Sequence, residues 1–318
     1  LGGISKNYNS NLLLSNSSLL VAEADEYDRS FLQLYPKVAI ITSIDADHLD
    51  IYGSHEEVKE SFRAFVGRIR KDGTLVVKNK LANNGKPSFA PEFKEKFYTY
   101  SFNEQADFYA QNLKALEGGY FSFDIATPMG IVSSCTLGVP GWINVENAIA
   151  AFATAWVMGT DVQRMREALK SYSGVKRRFD VQLSTPKVTL IDDYAHHPEE
   201  LKASITSVKS MFPNKKITGI FQPHLFSRTR DFAKEFAESL SLLDELILLD
   251  IYPAREKPID GITSEIILKD VSIKSKVMSN KEHLIDLIKG KQIEVLVTMG
   301  AGDIDTMLEP IKKVLLDE

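Results

Sequence analysis

Only one of the 318 residues is cysteine, Cys135, so no disulfide can form within the chain. Such sparing use fits a reducing compartment and leads to the expectation of a cytoplasmic protein. No apolar run approaches the ~20 residues that a membrane span requires. The opening segment LGGISKNYNSN has neither the basic nor the apolar region of a signal peptide. A strong charge of one sign is also lacking. The 38 Lys+Arg and 43 Asp+Glu leave a formal net charge of -5, which gives no general attraction to nucleic acid or to an anionic membrane. No stretch matches GxxxxGKS/T, the loop whose amides and lysine cradle a triphosphate. The first residue is not Met, and the expectation is a piece of a longer protein.

What is present is a globular composition. Hydrophobic residues make up 44% and charged ones 25%, enough for a sizeable core, and the length predicts two domains. Short β-rich runs alternate with helical patterns throughout, which predicts an α/β fold with mainly parallel sheets. Residues 18–23 (SLLVAE) and 37–44 (KVAIITSI) read as strands covered on both faces. Residues 56–69 carry apolar side chains at helical spacing, and 72–77 (DGTLVV) form the next strand. From 107 to 137 there is no helical period; Gly118-Gly119 and Pro128-Met129-Gly130 read as the turns of β-hairpins. Residues 144–159 form an alanine-rich helix ended by glycine. A second unit with strands at 187–194, 216–222, 245–252, 274–279 and 293–300 predicts an open doubly wound sheet. The expected domains are 1–172 and 173–318.

In such sheets ligands bind beyond the carboxyl ends of the strands. Four polar clusters fall at predicted ends. Glu23 follows 18–22 and is crowded by Asp25, Glu26 and Asp28; His48 follows 37–44 with Asp45 and Asp47. A carboxylate and an imidazole at neighbouring strand ends suit a divalent cation that keeps most of its water, or else they cap the next helices. Asp25, Glu26, Asp28, Asp45 and Asp47 are read as caps or solvated charge. Residues 191–200 (IDDYAHHPEE) place His196 and His197 in a turn before Pro198, either as scaffolding or as a site. No cysteine accompanies them, which speaks against zinc. Residues 221–232 (FQPHLFSRTRDF) place His224, Arg228 and Arg230 near a helix start that Ser227 can cap, an arrangement suited to phosphate or carboxylate. For Arg230 a salt bridge is the preferred reading. Lys176, Arg177 and Arg178, at the expected domain junction, are either a solvated turn or a source of one arginine for a nucleotide phosphate. GAGDI at 300–304 lacks the GxGxxG spacing and reads as a tight turn.

The stretches EADEYDRSF, DADHLDIYG, GWINVENAIAA, GVKRRFD, DDYAHHPEE, FQPHLFSRTRDF and DIYPAREKPIDGITSE occur in this order along nearly the whole chain. Together they resemble the Mur ligases, the ATP-dependent amide-bond-forming enzymes of peptidoglycan synthesis. The resemblance implies most of a central ATPase-like domain followed by a C-terminal Rossmann-like domain, with an N-terminal domain and the phosphate-binding loop preceding residue 1. It implies the member activity that joins L-alanine to the lactyl carboxylate of UDP-N-acetylmuramate through an acyl phosphate, with ATP and Mg²⁺, and no such activity for these 318 residues alone. By motif, Glu23 and His48 match Mg²⁺ ligands, Asn144 an adenine contact, Arg178 a phosphate-reaching arginine and Asp193 a nucleotide-side aspartate. Tyr194, His196, His224 and Arg228 match the acceptor and amino-acid side. Ile143 stands where the family usually has histidine, and Leu225 where some members have arginine. A carbamylated lysine found in some relatives would fall near Phe62, so none is expected. The alternatives are the murein-peptide recycling ligase of the same family, a non-catalytic nucleotide- or metal-binding module, and a metal phosphohydrolase.

Overall fold

The computed structural model describes residues 2–45 and 49–317. The chain forms two compact units, one made chiefly of Asn7–Ser173 and the other of Gly174–Glu318 with Gly3–Lys6. In the first unit the strands are β1 (Val38–Ile41), β2 (Thr74–Lys78), β3 (Lys96–Ser101), β4 (Phe108–Ala115), β5 (Phe121–Thr127) and β6 (Gly130–Thr136). They lie side by side in that order. β1 to β4 run parallel, and β5 and β6 return as antiparallel hairpins. Alternation along β2 divides the core. Val76 joins Tyr100 and Phe108 against the helix α2 (Trp142–Val157), while Leu75 and Val77 join Phe65 and Val66 of α1 (His55–Val66). The alanines of α2 let it approach the sheet: Ala148, Ala150 and Ala153 are all buried. The helix runs out at Gly159, whose φ of 76° few other residues adopt without strain. A further helix, α3 (Val162–Ser171), follows.

One expected strand is absent. Residues 18–23 form no strand, and Leu20 and Val21 are 88% and 90% exposed. An apolar run becomes a strand only where a neighbour completes its backbone hydrogen bonds, and no described residue pairs with this stretch. Conversely β3 was not expected from the sequence.

The second unit contains β7 (Asp180–Ser184), β8 (Thr189–Asp193), β9 (Ile217–Phe221), β10 (Glu245–Leu249), β11 (Lys276–Ser279) and β12 (Val295–Met299). Their order across the sheet is β11-β10-β9-β12-β8-β7, parallel except for the edge strand β7. Helices cover both faces. Ile191, Phe221, Leu246 and Val297 pack with Leu201, Ile205 and Val208 of α4 (Pro198–Met211) and with Phe236 beyond it. Leu190, Ile220, Ile247 and Leu296 face the opposite way, toward Leu284, Ile288 and Ile311. β9, β10 and β12 are buried along their whole length, as strands covered on two sides must be.

Candidate functional site

The turn between β8 and α4 is built around one carboxylate. Glu200 accepts the backbone N–H of His196 at 2.9 Å and of His197 at 3.2 Å, closing a capping box in which His197 is the N-cap and Pro198 opens the helix. His196 Nδ1 lies 2.9 Å from the Tyr194 carbonyl and 3.2 Å from Glu200. Both neighbours are acceptors, so this nitrogen carries the proton and fixes the ring. Burial alone would raise the Glu200 carboxyl; the His196 ring and amide outweigh it and bring the pKa down to about 2. Asp193 closes β8, its carbonyl accepting the Gly300 amide at 3.2 Å. Burial raises its carboxyl, opposed in part by the Phe179 amide and the Arg178 charge.

His224 faces the same end of the sheet. Its ring centroid is 6.1 Å from that of His196 and 5.9 Å from Tyr252, with which it stacks at 16°. Its Nδ1 is buried and has no hydrogen-bond partner. Burial first, and then the nearby His196, Arg228 and Arg255 charges, press its pKa down to about 4. It is therefore neutral near pH 7, not the added positive charge that the sequence suggested. Leu225 turns the chain with φ 71°, and its amide donates to the Tyr252 carbonyl at 3.0 Å. The following helix α5 (Phe226–Asp231) is short, and Arg228 and Arg230 fall in its last turn. Ser227 does not cap it: the Ser227 amide and hydroxyl both donate to Glu256, at 3.0 and 2.5 Å. Arg230 pairs with Asp231 at 2.7 Å, as expected of a surface salt bridge. Beside Tyr252 a cavity of about 440 Å³ opens, lined by Gln222, Asp250, Asn280, Lys281 and Asp303.

Arg178 has a half-exposed side chain, its guanidinium carbon 5.1 Å from the Tyr194 centroid and its Nη1 4.0 Å from Glu200. Tyr194 in turn lies 5.2 Å from His196, ring to ring. The second unit thus gathers Arg178, Asp193, Tyr194, His196 and His224 on one edge. Sequence reasoning missed the roles of Glu200 and Tyr252, and named Arg177 only with Lys176 and Arg178 as a solvated turn or the source of one phosphate-reaching arginine. Glu200 occupies the third helical position of a capping box, and the signal was disguised because histidine stands at the cap.

In the first unit Asn144 sits in the opening turn of α2 and donates from its side-chain amide to the Pro140 carbonyl at 2.7 Å, which fixes the amide plane. Glu23 does not end a strand; it is exposed and its carboxylate accepts the Gly2 amide. His48, its expected partner, lies outside the described residues. Among the described residues no three His, Cys, Asp or Glu side chains converge as a metal cage. An exposed carboxylate such as that of Glu23 fits a hard cation that keeps most of its water. Phe62 packs edge-on to Phe31, with centroids 5.2 Å apart.

Two family models match the chain in order: the Mur ligase middle domain over residues 7–155, and the Mur ligase glutamate ligase domain over 177–302. The UDP-N-acetylmuramate–L-alanine ligase of Parabacteroides distasonis is 51% identical over 318 residues, 99% of this chain and 67% of that protein. The enzyme of the same name from Christiangramia forsetii is 48% identical over 318 residues, 100% of this chain and 68% of that protein. The crystal structure of the UDP-N-acetylmuramate–alanine ligase of Thermotoga maritima superimposes with a TM-score of 0.78 at 26% identity, covering 100% of this chain and 69% of that one. With both domain models in sequence order and about half the residues shared along its length with the Parabacteroides and Christiangramia enzymes, the chain belongs to the Mur ligase family.

Proposed function

We propose that this protein is a cytoplasmic, ATP-dependent ligase of peptidoglycan synthesis that joins L-alanine to the lactyl carboxylate of UDP-N-acetylmuramate. The observation that carries the reading is the 51% identity along 318 residues with a relative of that name. In the reaction a lactyl carboxylate oxygen attacks the γ-phosphorus of ATP and ADP departs, leaving an acyl phosphate. The alanine nitrogen then bonds to the acyl carbon, a tetrahedral intermediate collapses, and phosphate leaves. Both steps gather negative charge, so positioning and fixed positive groups do most of the catalysis.

In this reading Asn144 contacts adenine, Arg178 reaches the nucleotide phosphates and Asp193 is the nucleotide-side aspartate. Tyr194, His196, His224 and Arg228 line the acceptor and amino-acid side. His224 is neutral near pH 7 and its ring lies beside that of His196, so it adds polarity but no charge on that side. Arg228 is read as facing the carboxylate of the amino acid, where Leu225 supplies no charge. Glu23 with His48 would hold Mg²⁺, which screens phosphate charge when bound.

The test is phosphate release by the full-length gene product. Release is expected only with ATP, UDP-N-acetylmuramate and L-alanine together. Ligation of a murein tripeptide but not alanine would make it the recycling ligase. Release without alanine or the sugar nucleotide would make it a phosphohydrolase, and nucleotide binding without turnover a binding module.

A further inference from the structure

Arg177 and Arg178 are adjacent and chemically identical, yet the second unit uses them in opposite ways. Arg177 points inward. Its Nη2 donates to the carbonyls of Gly300 and Gly302 at 2.8 and 3.1 Å, and its Nε and Nη1 lie 3.5 Å from Asp192 and 3.5 Å from Asp305. The side chain is 21% exposed and that of Asp192 0%. Its backbone is engaged as well: the amide donates to Asp180 at 3.3 Å, and the carbonyl accepts the Tyr194 amide at 2.6 Å. Its guanidinium carbon lies 5.0 Å from the Tyr194 ring centroid. One side chain thereby ties the 174–180 turn to the end of β8 and to the 300–305 turn.

The 174–180 turn needs such a tie. Arg177 and Phe179 both hold left-handed backbones, with φ of 61° and 47°, a conformation that is strained for residues other than glycine. Arg178, between them, is turned outward with its side chain 55% exposed. Burying a guanidinium without partners is costly; here Nη2 donates to two carbonyls and two carboxylates lie at 3.5 Å, while Nε makes no hydrogen bond. A lysine at 177 would put a point charge where a planar fork now meets four oxygens.

We propose that Arg177 is a positioning residue: it touches no substrate, but fixes the turn that presents Arg178 and the Tyr194 ring against which Arg178 rests. What Arg178 and Tyr194 contact rests on the ligase reading above; the geometry does not. The full-length protein should be compared with R177K, R177A, R178A and R177A/R178A. The readouts are kcat and KM for ATP, melting temperature, and hydrogen exchange at the Tyr194 and Gly300 amides. R177K is expected to fold, to lose protection at both amides, and to lower kcat/KM for ATP by ~10–100-fold. The double variant is expected to be no worse than R178A alone, because both changes remove one contribution. The proposal is overturned if R177K lowers only the melting temperature, or if the two single effects multiply. If the parent protein shows no ligation, the ligase reading fails by itself and exchange decides: lost protection in R177K upholds the positioning role, and retained protection overturns it.

Discussion

His224 shows how burial and neighbouring cations set the charge of a single side chain. Its pKa of about 4 lies below the ordinary imidazole value of 6.5, so the unfolded chain binds the proton more readily than the folded one. Folding stability therefore falls as pH drops from about 6.5 toward 4, and the ring stays neutral through the physiological range. The His224 imidazole resonances are expected to stay flat between about pH 5.5 and 8, as followed by NMR; an inflection near 6.5 would contradict the packing described. The sequence marked His224 as a site candidate but not its charge, because the burial that chiefly suppresses it, and the approach of His196 and Arg255, exist only in the fold. His196 was equally legible as a candidate. Its fixed ring orientation depends on Glu200, whose role emerges from the capping geometry.

Among the elements, the turn after β12 carries the tightest geometric constraint. Gly300 has φ 134°, and a Cβ there would meet the Gln222 carbonyl oxygen at 2.4 Å; one on Gly302 would meet Gln222 Oε1 at 2.3 Å. Gln222 cannot retreat easily, since it accepts from Ile304 at 3.0 Å and donates to Asp303 at 2.9 Å. Gly300→Ala is thus expected to cost about 2 kcal/mol or more, measured by urea unfolding; an unchanged midpoint would show that the turn relaxes freely. The GAGDI stretch was legible as a tight turn, but not its role as the seat of the Arg177 fork. The hairpins of β4 to β6 were readable because glycines announce their turns. Residues 18–23 were misread because an apolar run states only a preference for burial, while a strand needs a partner. β3 was overlooked because its Lys-Phe-Tyr-Thr-Tyr-Ser run is only partly apolar, and its place depends on pairing with β2. β7, a polar edge strand, went unnoticed for a similar reason.

At the scale of the molecule, each unit has a core on both faces of its own sheet. Phe152 and Phe236, 1% and 0% exposed, belong to different cores. Phe152→Ala and Phe236→Ala are each expected to cost about 3–5 kcal/mol, and their costs to add in the double variant. Chemical denaturation of the three variants checks this, and marked non-additivity would mean that the two cores are coupled. The amino-acid order alone determined the α/β class, most of the parallel strands, and a set of ligase motifs that the family comparisons matched. These are local or ordered features, carried by periodicity, glycine punctuation and short polar runs. Only tertiary structure decided which of two adjacent arginines turns inward, that His224 is neutral, and that Glu200 organises the histidine turn. Each of those depends on distance through space, on burial, and on carbonyls and charges far away along the chain.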